Sequence, residues 1–304
     1  MRTLFRGTDR LYRTTTKEFY VVECAGCRLI RLYPWPSLAE LQTYYPRSYW
    51  FTSGANTASR LEEAYRRFVL RDHVAFVRGA LRAMETPGPV LDVGCGGGLF
   101  PRLLSERGYR AFGIDYSPQA AHVAWSLNGV PAACCELPAA PFAPGAFAAI
   151  TMFHVLEHLY DPASYIQAAH RLLRPGGRLI VQVPNAASWQ FLLFGENWNG
   201  LDVPRHLVDF RARDLDALLE GCGFDLVRHK HFSLRDNPAG LATTVAPGLD
   251  PMARRIRGVS DSDVMRLFKD LVYLALVSVC VPLTALEAAC GAGSTIMIEA
   301  RKNT

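Results

Sequence analysis

From Val90 onward the chain alternates between two hydrophobic rhythms. Short apolar runs cover Val90 to Val93, Ala111 to Ile114, Ile150 to Phe153 and Leu179 to Val183. Between them, Leu99 to Arg107, Pro118 to Leu127 and Pro162 to Leu173 repeat their apolar residues every three or four positions. A short apolar run bounded by breakers reads as a buried strand, and a 3.6-residue period as an amphipathic helix. Pro175-Gly176-Gly177 stops the third helix. Strands spaced by helices in this way predict an α/β fold, doubly wound, with a mostly parallel sheet. A helix over Asp214 to Glu220, a strand over Phe224 to Arg228 and a closing β-rich strand over Ser294 to Ala300 complete the pattern.

The flanks have a different character. Residues 61–84 carry Leu61, Tyr65, Phe68, Val69, Val74 and Val77 at helical spacing and predict one long helix. Residues 1–60 form an appendage with a strand over Phe19 to Cys24, a Cys24/Cys27 pair and a helix opened by Ser37. Glu40, three residues on, makes a capping box with that serine. Tyr44, Tyr45, Tyr49, Trp50 and Phe51 follow as an aromatic cluster. Residues 61–304 are the main domain, and 233–290, where the alternation lapses, are a helical insertion before the last strand. Its apolar segment Leu271 to Leu283 falls short of the ~20 residues that cross a bilayer. Pro282 and Glu287 limit any extension, so a buried or membrane-surface helix is expected rather than a transmembrane span.

Composition narrows the class. Half of the 304 residues are hydrophobic and 20% are charged, as in a globular protein. A net charge of +5, with Arg254, Arg255 and Arg257 as the one compact basic cluster, does not predict nucleic-acid binding. Eight cysteines without a signal-peptide start point to a reducing, cytoplasmic setting.

The chemistry concentrates after the first strand of the alternating region. Val90-Leu91-Asp92-Val93-Gly94-Cys95-Gly96-Gly97-Gly98 places four glycines in a strand-to-helix loop, where doubly wound folds bind nucleotides. Asp115 ends the second strand, positioned to accept from both ribose hydroxyls. A dinucleotide fingerprint wants glycine or alanine where Leu99 stands. S-adenosylmethionine has no pyrophosphate to cradle, and its ammonium and sulfonium favour nearby carboxylates. The loop therefore favours that cofactor over NAD.

These motifs, with Gly113-Ile114-Asp115-Tyr116-Ser117, His154-Val155-Leu156-Glu157-His158 and Leu172-Leu173-Arg174-Pro175-Gly176-Gly177, resemble class I S-adenosylmethionine-dependent methyltransferases. They are similar especially to the ubiquinone-biosynthesis O-methyltransferase group. The resemblance covers residues 88–232 and 293–301. It implies a seven-stranded Rossmann-like sheet with an antiparallel last strand, and a substrate cover built from 233–290. It also implies a cofactor site of Asp92, Gly94, Cys95, Gly96, Gly98, Asp115, Tyr116, Ser117, Phe153 and His154. Two positions depart from the pattern: Ala132-Ala133-Cys134-Cys135 replaces an acid or amide near the adenine, and Phe147-Ala148 replaces Phe-Asp. The Cys24 to Tyr45 segment is similar to the second half of a zinc ribbon. One CxxC pair cannot complete a tetrahedral site, so no metal is expected.

Methyl transfer requires an aligned nucleophile and, for a hydroxyl, an acceptor for its proton. His154, ending the fourth strand, reads either as a base or as a packing residue beside the cofactor. His206 reads as the base of a second patch, Asn197 to His206, in which Trp198 offers an apolar wall and Arg205 a cation. His158 joins them toward the substrate, and a capping role or salt bridge is expected for Glu157. The expectation is O-methylation of a small molecule, an apolar one such as an isoprenoid or polyketide if the insertion covers it. Its rivals are N- or C-methylation, a non-catalytic cofactor-binding protein and an NAD-dependent oxidoreductase. The insertion could equally pack on the sheet or form a homodimer contact.

Overall fold

The computed structural model describes residues 1–46, 57–86 and 88–303; Tyr49, Trp50, Phe51 and the Leu61 side chain lie outside the described residues. The chain opens with β1 (Arg2–Gly7), β2 (Phe19–Glu23) and β3 (Ile30–Tyr33), then α1 (Leu38–Thr43), α2 (Thr57–Val69) and α3 (Arg71–Arg82). The Ser37–Glu40 capping box forms as its spacing predicts. The long helix over 61–84 is instead two, because the chain breaks at Leu70 between α2 and α3.

The central layer contains β4 (Val90–Val93), β5 (Ala111–Asp115), β6 (Ala132–Cys134), β7 (Phe147–Phe153) and β8 (Leu173–Pro184). Three helices connect them: α4 (Leu99–Ser105), α5 (Pro118–Asn128) and α6 (Pro162–Leu172). After α7 (Trp189–Phe194), β9 (Val208–Asp209) and α8 (Ala212–Gly221) comes β10 (Phe224–Lys230). The insertion supplies α9 (Asn237–Val245), α10 (Pro251–Ile256) and α11 (Asp263–Ala289), and β11 (Thr295–Lys302) closes the fold.

Seven strands form one sheet in the order β10-β11-β8-β7-β4-β5-β6, with β11 antiparallel to both neighbours. This is the Rossmann-like methyltransferase sheet that the motifs imply. Its central strands are buried along nearly their whole length because helices cover both faces, which is why they read as unbroken apolar runs. The strand order reverses between β4 and β7, which opens a crevice at their carboxyl ends.

The amino-terminal strands build a second sheet, β1-β2-β3-β9, whose last strand comes from the main domain. Phe19, Val21, Ile30 and Leu32 belong to the same apolar core as Leu91, Ile150 and Val183 of the central sheet. Packing thus crosses residue 60, although the sequence changes character there.

The insertion departs most from expectation. The apolar segment is part of a 27-residue helix, capped by the Ser262 side chain and continuous through Pro282. By length and composition α11 could cross a membrane, so the expected shortfall is corrected. Its polar first turns do not stop it because they are tied down: Lys269 pairs with Asp261 at 2.7 Å, and Asp270 pairs with Arg254.

Candidate active site

The cofactor cradle is backbone geometry held by one carboxylate. Gly94, Gly96 and Gly98 all adopt positive φ, at 71°, 52° and 78°. Asp115 accepts from the Gly96 N–H at 2.9 Å and from the Ser117 N–H at 2.9 Å, bridging the two loops that flank the crevice. Ser117 in turn caps α5 through the Ala120 N–H. Burial pushes the Asp115 pKa up, and those backbone donors offset it only in part. One layer deeper, Asp92 accepts from the Thr151 hydroxyl at 2.6 Å. Burial, reinforced by the nearby Asp115 charge and only partly offset by Thr151, lifts its pKa to about 7.

A Cβ built at Gly96 would meet no protein atom within 4 Å, so the loop faces open space where a ligand can approach the backbone. The Asp115 carboxylate lies beside that approach with Asp92 one layer behind it, an acidic setting that suits a cationic ligand. The residues therefore fit S-adenosylmethionine. Cys95 is buried against Gly113, while Tyr116 is half exposed at the rim and edges Tyr45 at 6.4 Å. Phe153 packs edge-on between His73 and Phe100, at centroid distances of 4.9 and 5.0 Å.

Beside the cradle lies a cavity of about 290 Å³ lined by His154, His158, Trp198, His206, Asp236 and Tyr273 among others. Its walls come from the end of β7, from the loop after α7, from α9 and α11, and from Leu11 and Tyr12 of the amino-terminal segment. His154 directly follows β7 in a left-handed conformation, φ 58°. Its Nδ1 lies 3.0 Å from Glu157 Oε1, and its Nε2 lies 2.9 Å from the Gln182 amide and 3.5 Å from Asp236 Oδ1. Burial disfavours its charge, but the Asp236 and Glu157 carboxylates outweigh that and raise the pKa to about 9. The two carboxylates thus bias His154 toward its charged form.

His206 is the opposite case. Its Nδ1 donates to the Gly200 carbonyl at 2.8 Å, leaving Nε2 with its lone pair. Burial, with His158 packed edge-on at 4.6 Å, lowers its pKa to about 4 and keeps it neutral. His158 Nδ1 sits 3.1 Å from the Arg205 carbonyl and 3.0 Å from the Tyr45 hydroxyl. Glu157 is buried with Oε2 unbonded, and one ligand atom each from Glu157, His158 and His206 lies within 4.8 Å of the others. A carboxylate and two imidazoles so grouped are donors of the kind a divalent ion takes.

Trp198 is buried on the cavity wall, and Gly200 is what lets it lie there: a Cβ at Gly200 would come within 2.2 Å of the indole. Arg205 does not join this wall. It has no exposed surface; its guanidinium pairs with Asp9 at 2.9 Å and Asp202 at 2.7 Å and stacks 4.4 Å from the Tyr12 ring. The predicted substrate cation is thus corrected to a tie between the amino-terminal segment and the loop after α7, its charge consumed by two carboxylates.

Asp236 and Tyr12 carried no periodicity or motif to single them out. Gln182 did carry a signal: one amide inside the apolar run Leu179 to Val183 had to have a partner. Cys24 and Cys27 share the turn after β2, where the backbone N–H groups of Cys27 and Gly26 lower the Cys24 pKa.

A profile of the methyltransferase domain family matches residues 60–229. The ubiquinone biosynthesis O-methyltransferase of Pseudomonas paraeruginosa is 31% identical over 185 residues, 58% of this chain and 74% of that protein. A probable S-adenosylmethionine-dependent methyltransferase of Mycolicibacterium smegmatis is 31% identical over 141 residues, 45% of this chain and 52% of that one. Among solved structures, the Burkholderia thailandensis 1,6-didemethyltoxoflavin-N1-methyltransferase, with bound 1,6-didemethyltoxoflavin and S-adenosylhomocysteine, aligns over 95% of this chain and 97% of its own. Its TM-score is 0.51 and its identity 16%. A methyltransferase from Archaeoglobus fulgidus aligns with the same TM-score, 17% identity, 81% of this chain and all of its own.

Sheet, cradle and matches together define a class I S-adenosylmethionine-dependent methyltransferase. The chain belongs to the methyltransferase domain family, it is an enzyme whose cofactor is S-adenosylmethionine, and it is similar to the ubiquinone-biosynthesis O-methyltransferases.

Proposed function

We propose that this enzyme methylates a hydroxyl of a small molecule held in the cavity between β7, the loop after α7 and the insertion. The observation that carries this reading is His206, whose Nδ1 is bonded to the Gly200 carbonyl and whose Nε2 keeps its lone pair, in the wall of a cavity that extends to His154 at the end of β7, the strand beside β4 and its glycine loop. Bound S-adenosylmethionine supplies an electrophilic methyl on a sulfonium that leaves as a neutral thioether.

Asp115 and the glycine loop hold the nucleoside end. Trp198 presents a flat apolar wall that orients the acceptor. His206 Nε2 accepts the hydroxyl proton as the oxygen attacks, while the Gly200 carbonyl fixes the tautomer that leaves this nitrogen available. His154, both of whose ring nitrogens are engaged by Glu157, Gln182 and Asp236, is not that base; biased toward its charged form, it steadies negative charge that develops on the acceptor.

The test is transfer of labelled methyl from S-adenosylmethionine to a panel of phenols, catechols and isoprenoid alcohols, with wild type and His206→Gln. The reading requires a turned-over hydroxyl acceptor and a clear drop in kcat for the variant. Turnover only of amines, or an unchanged kcat in His206→Gln, overturns it.

A further inference from the structure

Helix α11 has two unlike faces. Tyr273, Val277, Cys280 and Thr284 turn toward the protein, Val277 and Cys280 packing with Ala242 of α9. The Tyr273 and Thr243 hydroxyls bond at 2.8 Å, and Glu287 accepts from the Gln190 backbone and side-chain amides. The opposite side carries Val264, Phe268, Leu271, Val279, Leu283 and Leu286, each between 57% and 80% exposed. At about 100° per residue these positions form one stripe. No charged residue interrupts the helix from Leu271 to Leu286. On its inner face α11 is joined to α7 by the Glu287–Gln190 contact, and α7 exposes Leu192 and Leu193, 71% and 78%. Single water-soluble chains rarely expose an apolar surface of this extent.

Three observations choose what covers it. In the first turns of α11, the exposed Val264, Met265, Leu267 and Phe268 spread over roughly 160° of the circumference at 100° per residue, and Arg266 occupies the side they leave. A wide apolar arc with a cation on the remaining face is the arrangement of a helix half sunk in a lipid interface. Charge is the second. Arg254 and Lys269 are neutralised by Asp261 and Asp270; the exposed Arg13 lies near Arg257, and Arg266, 60% exposed, forms only a solvent-exposed i,i+3 pair with Asp263 at 3.9 Å. Arg266 flanks the apolar turns and complements an anionic headgroup, and Arg13 with Arg257 adds to the positive charge of this part of the chain. Third, the helix is fastened along its inner face and its chain re-enters the sheet at Thr295, so crossing a bilayer would break the Tyr273 and Glu287 bonds.

We propose that α11, continued by α7, lies in the plane of an anionic lipid bilayer and docks the enzyme there. Tyr273 and Thr243 belong both to this helical layer and to the cavity wall, so the cavity opens one helix thickness behind the docking face. The acceptor is then carried by a membrane-dissolved amphiphile. That last clause rests on the methyltransferase reading; the docking does not.

Flotation of the full chain with vesicles of phosphatidylcholine, alone or mixed with phosphatidylglycerol, tests it at low and high salt. Binding should favour the phosphatidylglycerol mixture and weaken with salt. The double variant Phe268→Glu with Leu271→Glu should bind on the order of 100-fold more weakly. Both side chains are exposed, so its melting temperature and S-adenosylhomocysteine affinity should match wild type. Arg13→Ala with Arg266→Ala should reduce only the phosphatidylglycerol-dependent part, by roughly tenfold. No binding at any composition overturns the proposal. So does a dimer, seen by light scattering, that the Phe268/Leu271 variant dissolves while vesicles remain unbound. S-adenosylhomocysteine titration of the same preparation separates the two ideas: lost vesicle binding with intact cofactor binding removes the anchor alone, and the reverse removes the catalytic reading alone.

Discussion

Two histidines line the same cavity in opposite electrostatic settings. At the end of β7, His154 lies between the carboxylates of Glu157 and Asp236 and is held charged, with a pKa of about 9. In the loop after α7, His206 is buried against His158 and a backbone carbonyl and is held neutral, with a pKa of about 4. The side chain is identical, and both sites are desolvated. What differs is that Glu157 and Asp236 lie directly against the His154 nitrogens, whereas Glu157 and Asp202 act on His206 only from a distance and do not offset its burial. Asp236, delivered by the insertion, converts the β7 histidine from a candidate base into a fixed cation.

The largest effect should come from breaking the frame that carries His206. Arg205→Ala would leave Asp9 and Asp202 as unpaired charges, the first of them fully buried. It should cost about 3–5 kcal/mol in denaturant unfolding. Arg205→Lys should recover little, since a point charge cannot span both carboxylates. If either variant unfolds like wild type, the loop is held by something else.

Asp115→Ala removes the acceptor of two loop N–H groups and should weaken S-adenosylhomocysteine binding on the order of 100-fold by calorimetry. The acceptor side should be untouched by it. His206→Gln reverses that pattern: kcat should fall roughly 10- to 100-fold with S-adenosylhomocysteine affinity unchanged. A similar loss of affinity in both variants would erase the distinction between cradle and cavity.

The smallest effects are in pH dependence, and their signs oppose. The folded pKa of His154 is raised above its ordinary 6.5, so its stabilisation is complete below pH 6.5 and fades as pH rises toward 9. His206 has a folded pKa below its ordinary value, so its contribution holds above pH 6.5 and is lost as pH falls toward 4. Thermal melts across this range should show both slopes. Asp236→Asn should flatten only the alkaline one, and a change confined to the acid side would reverse the assignment of the two rings.

Residue order alone was enough wherever neighbours along the chain specify the outcome. The strand–loop–helix at Val90 to Leu104 and the aspartate ending β5 lie within one stretch of chain, and backbone conformation there follows from residue type. The capping box at Ser37 and the alternation of buried strands with amphipathic helices are legible for the same reason. The cofactor follows from these.

Packing supplied the remainder, because charge state and exposure depend on partners that are close in space and distant in the chain. Asp9 reaches Arg205 from 196 positions away, turning an expected ligand cation into an internal tie. Gln182 contacts Asp236 across 54 positions: its place in an apolar run signals that it needs a partner, and only the fold shows that the partner is Asp236. The length of α11 shows the same limit. Its polar first turns read as an end until Asp261 and Arg254 are seen to neutralise Lys269 and Asp270. Its apolar segment reads as either a buried or a membrane-surface helix until the fold leaves the stripe facing outward, since hydrophobicity states that a surface must be covered and only packing states by what.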